Sequence, residues 1–180
     1  VPGMDGSSRD FYTAIASAGV KELGVEKRYF VVKEPIVVKA GSAELTALPY
    51  DGFKVSYTLN YAHPLLRSSF LEIDVTAAAF ETQVSAARTF CLEEEVQALR
   101  SAGFGKGANY QNTLVLGKTG VIDNTLRYDD EFVRHKVLDL IGDLYILGRP
   151  VKGHIIALRS GHSLNIQLIS ELNQALAAFE

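Results

Sequence analysis

The sequence contains no tryptophan, one methionine and one cysteine, Cys91, in 180 residues. A single thiol cannot form an internal disulfide, so a disulfide framework is excluded and a reducing, cytoplasmic location is expected. No apolar run approaches the ~20 residues needed to cross a bilayer, so no transmembrane segment is predicted. The formal net charge is −3, whereas a typical nucleic-acid-binding protein carries concentrated positive charge. We therefore expect no nucleic-acid partner.

An initiator methionine and a signal-like segment are also absent, since the chain begins at Val1-Pro2. We therefore expect a processed or truncated product, whose first residue says little about targeting. What remains is an ordinary globular composition, because 47% of the residues are apolar and 22% are charged. At this length the chain can form one domain, or two small ones, with a substantial core.

Short β-rich runs dominate the first half of the chain, after a predicted helix at 7–18 that Ser7 or Ser8 can cap. Gly, Pro and Asp-Gly signals separate the runs, which is typical of an antiparallel sheet. The runs lie between 27 and 74 and read RYFVV, PIVVK, AELTAL, KVSYTLNY and FLEIDV.

Helical periodicity dominates the second half. The pattern predicts helices at 76–87, 92–102, 130–147 and 163–179, a small hairpin at 113–122 and a strand at 152–158. Strands first and two long helices late favour an α+β fold, in which an antiparallel sheet and helices on one of its faces form a two-layer sandwich.

The 130–147 helix carries a polar stripe on an otherwise apolar surface. At ~3.6 residues per turn, His135, Asp139 and Asp143 fall within a sector roughly 100° wide. A His and an Asp one turn apart can bind one cation, as the paired histidines of HExxH helices do. The alternative is a plain hydrogen bond between the two. Burying these polar groups is costly unless something compensates them, which favours a metal site.

Another histidine, His162, lies in the sequence SGHSLN, in the turn between the last predicted strand and the last helix. Such turns often carry active-site residues, although a surface capping histidine is the alternative interpretation. The indications for His63, which precedes a proline, and for His154, which can simply face solvent from a strand, are weaker.

These residues lie in segments that resemble a known family. The stretch LRYDDEFVRHKVLDLIGDLYILGRPVKGHIIALRSGHSLN is similar to the signature region of the UDP-3-O-acyl-N-acetylglucosamine deacetylases, zinc-dependent enzymes of lipid A biosynthesis. The segments VPGMDGSS, YTLNYAHP and SAARTFCLEEEVQALRSAGF agree with that family in order and spacing. Its members have two similar α+β halves, and this chain resembles the second, C-terminal half with the linker before it.

The resemblance implies a role for each site residue. His135 and Asp139 would be two of three protein ligands to a catalytic zinc, and the third would be a histidine of the first half, next to a general-base glutamate. Thr89 would help hold the oxyanion, while His162 would stabilise it or protonate the departing amine. Asp143 would orient His162. The expected contacts to the nucleotide-sugar substrate are Phe90, Lys136, Tyr61 and Glu95.

The resemblance also implies a domain organisation. Residues 1–26 would form the linker and first helix, and 27–180 the second α+β domain. A small insert of β-α-β type at about 90–122 would form a passage for the substrate's acyl chain, to which Val96 and Tyr110 are suited. The expected partners are UDP-3-O-acyl-N-acetylglucosamine and the N-terminal half of the same enzyme.

The function that follows is zinc-dependent hydrolysis of the substrate's N-acetyl group, with this chain supplying part of the active site and expected to be inactive alone. One alternative is a non-catalytic binding or structural domain that keeps the deacetylase fold. Another is an unrelated protein with a helical His/Asp pair. The enzyme is favoured because a domain released from catalysis is expected to lose at least one of its costly buried charges. This sequence has the whole set: His135, Asp139, Asp143, His162, Thr89 and Lys136.

Overall fold

The computed structural model describes residues 3–63, 65–66 and 68–177, with residues 176 and 177 described by their backbone alone. The predicted first helix is present as α1, Arg9–Ala18. Ser8 precedes it without capping it, because the Ser8 hydroxyl donates instead to the carbonyl of Ser85 at 3.0 Å. None of the residues of α1 is buried.

The β-rich region forms five strands, and two of the predicted runs are shortened. They are β1 Phe30–Val31, β2 Ile36–Ala40, β3 Ala43–Leu48, β4 Phe53–Leu59 and β5 Ser69–Asp74. After β5, Thr76 caps a helix by accepting the amide of Ala79 at 3.1 Å. This helix, α2 Ala77–Ala79, continues as a π-helical turn, Phe80–Val84. It ends before the predicted residue 87 and leads into the loop that carries Thr89.

The middle of the chain forms the expected β-α-β insert. Its elements are β6 Phe90–Leu92, a 3₁₀ turn Glu93–Glu95, α3 Val96–Ser101, β7 Leu114–Leu116 and β8 Val121–Ile122. β6 and β7, which α3 separates along the chain, pair in parallel. β8 pairs with β7 as the predicted antiparallel hairpin. The helix predicted from 92 starts at 96, because strand β6 and the 3₁₀ turn precede it.

The last part of the chain contains α4 Glu131–Leu144, a 3₁₀ turn Tyr145–Leu147, β9 Val151–Leu158 and α5 His162–Ala177. Gly148 adopts φ +70°, which lets the chain turn back after the helix. The predicted end of the final helix, 179, lies outside the described residues.

The strands of the main sheet are ordered β2-β3-β9-β4-β5, with β1 beside the start of β9. The predicted α+β sandwich is confirmed, and most pairings are antiparallel, but β9 lies between β3 and β4 and pairs in parallel with β4 and β1. Alternation along β9 turns Val151, Ile155 and Ala157 into the core. Gly153 faces the same way, and a Cβ there would lie 2.6 Å from a methyl of Val32.

Helices α4 and α5 pack together and cover one face of this sheet. Along α4 the buried aliphatic residues recur every three to four positions. They and the inward residues of α5 form the core with the sheet: Val133, Val137, Leu140, Leu144, Leu164, Leu168 and Leu172. Across the described ranges, we find no helix with both the length and the apolar character needed to cross a membrane.

Candidate active site

Eight of the nine side chains predicted for the site line a single cleft of about 180 Å³. The cleft lies between α4, the start of α5 and the loop leading into β6. Asp143, the ninth predicted residue, lies beneath His162 and is bonded to it. The structure thus brings together residues from four separate segments of the sequence. The cleft is lined by Tyr61, Thr89, Phe90, Cys91, Glu95, His135, Lys136, Asp139 and His162.

On α4, His135 and Asp139 face each other one helical turn apart. The Nε2 atom of His135 lies 3.2 Å from Oδ1 of Asp139. Its other ring nitrogen, Nδ1, lies 3.1 Å from the carbonyl oxygen of Ala87. A carbonyl oxygen can only accept, so Nδ1 carries a proton. In the charged ring Nε2 also donates to the carboxylate of Asp139, and in the neutral ring its lone pair is free to bind a cation.

Lys136 completes a charged group with this pair, since its Nζ lies 2.7 Å from Oδ2 of Asp139. Burial by itself would raise the pKa of Asp139, but hydrogen bonds and charge from His135 and Lys136 outweigh it and hold the pKa well below its ordinary value. Burial also acts to lower the pKa of Lys136, yet the carboxylate of Asp139 raises it overall. Asp139 is therefore an anion throughout the physiological range.

The His135–Asp139 pair fits two donor positions of a metal ion. A tetrahedral zinc with bonds of about 2.0–2.1 Å separates its donor atoms by about 3.3 Å, close to the 3.2 Å between Nε2 and Oδ1. A cation there would bind the Nε2 lone pair of His135 and offset the negative charge of the Asp139 carboxylate. In the part of the chain that the structure describes, no set of three His, Cys, Asp or Glu side chains could hold a metal ion. Within the described residues, then, the site offers two ligands.

The second pair, His162 and Asp143, lies at the start of α5. Nδ1 of His162 lies 2.7 Å from Oδ2 of Asp143, and the same oxygen accepts the side-chain amide of Asn165 at 2.8 Å. Asp143 is largely buried, whereas two thirds of the His162 side chain is exposed. The carboxylate therefore fixes a ring whose Nε2 is open to the cleft, an arrangement suited to proton transfer.

Backbone hydrogen bonds hold Thr89 at the rim of the cleft. Its amide donates to the carbonyl of Gly6 at 3.0 Å, and its carbonyl accepts the amide of Leu114 at 2.8 Å. Among the described residues its hydroxyl has no hydrogen-bond partner. This free hydroxyl can donate to an oxyanion in the cleft.

Aromatic side chains form one wall of the cleft. The Phe90 ring packs edge-on against Phe132 with 4.9 Å between centroids, and against Tyr61 at 5.9 Å. It also approaches the His135 ring edge-on at 6.4 Å. Glu95 is held at the start of the insert helix, where its carboxylate accepts the amide of Leu92 at 3.1 Å. Such a wall suits a flat or sugar-like ligand.

A second, more apolar pocket, open to solvent on one side, lies next to the cleft within the insert. Val96 and Tyr110, which the resemblance assigns to an acyl passage, line it together with Leu99 and Phe104. Cys91 lines both spaces. Burial raises the pKa of its thiol, so the neutral form is favoured.

Two features of the site were missed by the sequence interpretation. Cys91 sits at the cleft wall, which its position beside Phe90 could have suggested. The other is a fully buried ion pair between Arg88 and Glu131, with Nε and Oε1 at 2.9 Å. Its one sequence signal is that Glu131 precedes His135 by one helical turn on the same face.

The remaining histidines lie elsewhere. His154 lies on the sheet face opposite the helices, where its Nε2 is 2.8 Å from the Ser56 hydroxyl. His63 accepts the backbone amide of Leu65 at 3.2 Å. Neither lines the cleft.

Gly6 provides a stability test of the Thr89 anchor. It adopts φ +82°, and a Cβ built there would lie 1.7 Å from the carbonyl oxygen of Asn112. We expect Gly6→Ala to destabilise the protein by clearly more than the ~1–2 kcal/mol of left-handed backbone strain. Gly19 is the matched control, because it has the same φ with nothing within 4 Å of a Cβ. Equal losses of unfolding free energy in the two alanine variants would contradict the clash.

Known proteins share much of this sequence. The family model of LpxC, UDP-3-O-acyl N-acetylglycosamine deacetylase, matches residues 1–174. A UDP-3-O-acyl-N-acetylglucosamine deacetylase of Geobacter sp. (strain M21) is 43% identical over 173 residues, which cover 96% of this chain and 57% of the relative. Proteins of the same name from Saccharophagus degradans and Teredinibacter turnerae are 42% and 43% identical over 183 residues, covering 100% of this chain and 60% of each relative.

The chain thus spans less than two thirds of the length of these relatives. The match nevertheless extends over nearly all of the sequence and includes every residue that lines the cleft. The chain belongs to the LpxC family, the UDP-3-O-acyl N-acetylglycosamine deacetylases.

Proposed function

We propose that this chain supplies the C-terminal part of the active site of a zinc-dependent deacetylase, which releases acetate from UDP-3-O-acyl-N-acetylglucosamine in lipid A biosynthesis. The observation that most directly supports the proposal is the convergence of the His135–Asp139 pair, the free Thr89 hydroxyl and His162 on one cleft. The names of the relatives supply the substrate.

In this proposal His135 and Asp139 hold the zinc ion. When bound, zinc supplies a Lewis acid that polarises the acetamide carbonyl and activates the attacking water. The remaining ligand and the general base would come from the N-terminal half of the parent protein, by which we mean the longer protein that we propose contains this chain. The greater length of the relatives supports such a half.

The chain's own residues then perform three tasks. The Thr89 hydroxyl donates to the carbonyl oxygen as negative charge develops on it. His162 in its charged form stabilises the same charge or delivers a proton to the amine nitrogen as the C–N bond breaks, so that acetate and a free amine result. Asp143 holds His162 through Nδ1, which keeps Nε2 directed at the reacting group and favours the charged ring.

Substrate binding is assigned to the other residues of the cleft. In this proposal Lys136 and Phe90 contact the sugar, and the edge-on contact of Tyr61 with Phe90 completes the aromatic wall. Tyr61 and Glu95 are assigned to the nucleotide end. The neighbouring apolar cavity, with Val96 and Tyr110, receives the acyl chain. A cytoplasmic location forms part of the proposal and agrees with a lone, neutral Cys91.

Acetate release by the parent protein tests this function. The purified parent protein should deacetylate UDP-3-O-acyl-N-acetylglucosamine with zinc bound, while the isolated chain should show no useful rate because it lacks the general base and the third ligand. Acetate release by the isolated chain that His135→Ala abolishes would contradict the division between halves. A zinc-free, inactive parent protein would favour the non-catalytic alternative.

Zinc titration makes a separate prediction for the isolated chain. Two protein ligands leave a tetrahedral zinc incomplete, so we expect weak binding to this chain and tight binding to the parent protein. Competition against a chromophoric chelator measures both. A tight, stoichiometric site in the isolated chain would mean that another residue, with His162 the first candidate, completes the set.

A further inference from the structure

The loop of residues 85–89 carries Thr89 and leads directly into Phe90, and it contacts α4 through two adjacent links. In the first, Nδ1 of His135 donates to the carbonyl of Ala87 at 3.1 Å. In the second, the Arg88 side chain pairs with Glu131, which precedes His135 by one helical turn. Consecutive residues of the loop therefore bind consecutive turns of one face of the helix.

Arg88 and Glu131 make several hydrogen bonds to each other and to neighbouring residues. Nε and Nη2 of Arg88 donate to the two oxygens of Glu131 at 2.9 and 3.1 Å, and the backbone amide of Arg88 donates to Oε1 at 3.0 Å. The rest of the guanidinium donates to the Asn124 side chain at 2.9 Å and the Thr125 carbonyl at 2.6 Å. Glu131 also accepts the amide of Arg127 at 2.6 Å.

Burial makes this link rigid. Glu131 is completely inaccessible and Arg88 is only 4% exposed. A buried bidentate pair with these additional hydrogen bonds permits little freedom of distance or angle, since a shift would break several of them at once. An ordinary apolar contact at this place would tolerate sliding of the loop along the helix.

We propose that Arg88 and Glu131 are positioning residues. They hold the Ala87 carbonyl in place to bind the His135 ring, and they hold Thr89 in place at the cleft. The inference rests on the proposed function. The pair touches neither substrate nor metal. It acts through the neighbouring carbonyl, which fixes the ring orientation of His135, and through the chain direction at Thr89, whose hydroxyl faces the cleft.

Zinc affinity and steady-state kinetics of the parent protein test the proposal. Arg88→Met should lower zinc affinity and kcat each by about 10- to 100-fold, the range seen when a group that orients a metal ligand is lost. KM should change less than kcat, because the substrate-contacting side chains remain. Arg88→Lys keeps the charge without the planar fork, so its zinc affinity and kcat should lie between those of wild type and Arg88→Met. It also serves as the second variant if Arg88→Met does not fold.

A stability-matched control separates positioning from folding. Leu172 is fully buried in α5, away from the cleft, and Leu172→Ala should lower the melting temperature comparably without changing zinc affinity or kcat. Wild-type zinc affinity and kcat in folded Arg88→Lys and Arg88→Met would overturn the positioning role while leaving the proposed function intact. The same losses in Leu172→Ala would also overturn it. An unsubstituted parent protein without zinc or activity would overturn the proposed function, and this inference with it.

Discussion

Asp139→Ala in the parent protein is expected to lose most of its bound zinc, whereas His162→Ala is expected to keep it. Asp139 shares a helical stripe with His135, and the donor atoms of the two lie 3.2 Å apart. His162 comes from a separate turn and its Nδ1 is already committed to Asp143. The two residues therefore approach the site from different elements. Loss of Asp139 should remove zinc, whereas loss of His162 should lower the rate without removing zinc.

The expected rates differ accordingly. Loss of a metal ligand should cost more than the roughly 100-fold that follows loss of a group that only orients a ligand. His162→Ala should lower kcat on the order of 100- to 10,000-fold, as is usual for one general acid or oxyanion donor, with zinc content unchanged.

Elemental analysis and steady-state kinetics measure these two quantities. Asp74→Ala and His154→Ala are matched controls on the opposite face of the sheet, and both should retain zinc and activity. Zinc loss in His162→Ala would mean that His162 is a ligand, and the assignment of His135 and Asp139 as this chain's complete contribution would then be wrong.

Asp143→Asn is expected to move the upper limb of the pH–rate profile toward lower pH. Oδ2 of Asp143 accepts hydrogen bonds from His162 and Asn165 and supplies a negative charge beside the imidazole. The amide of asparagine removes that charge, so the charged form of the ring loses its electrostatic partner. Since the reaction needs the charged ring, activity should decline earlier as the pH rises.

At its optimum this variant should resemble a milder His162→Ala, because the ring stays in place but is less often charged and less firmly held. The measurement is kcat against pH for wild type, Asp143→Asn and the control Asp74→Asn, with zinc content determined on each. An upper limb that does not move would refute the assignment of His162 as the group that must be protonated.

Much of the fold was predictable because its local signals agree with its tertiary contacts. The alternation in β3 and β4 and the long apolar periodicity of α4 each mark a face that is buried in the structure. The loop 85–89 and β6 were harder, because the π-helical turn before them and the parallel partner β7 are set by distant contacts. Propensity carries no information about such partners.

The candidate site divides in the same way. The spacing of His135, Asp139 and Asp143 on one helix is a property of the sequence alone, because 3.6 residues per turn dictates it. The turn SGHSLN marked His162 as a candidate, and the resemblance added its role, Thr89 and the substrate contacts. The sequence could not reveal that Arg88 turns inward to Glu131, since arginine is usually exposed and the two are far apart along the chain.

By itself the sequence determined the α+β class, the helix stripe with its His135–Asp139 pair, and the family to which the chain belongs. These follow from short-range periodicity and from motifs that are written in consecutive residues. Only the tertiary structure decided that β9 enters the sheet between β3 and β4, that Arg88 joins the Thr89 loop to α4, and at what distance His162 meets Asp143. Each of these is a contact between distant segments, and its geometry is fixed by burial of the whole core and by the need to pair every buried charge.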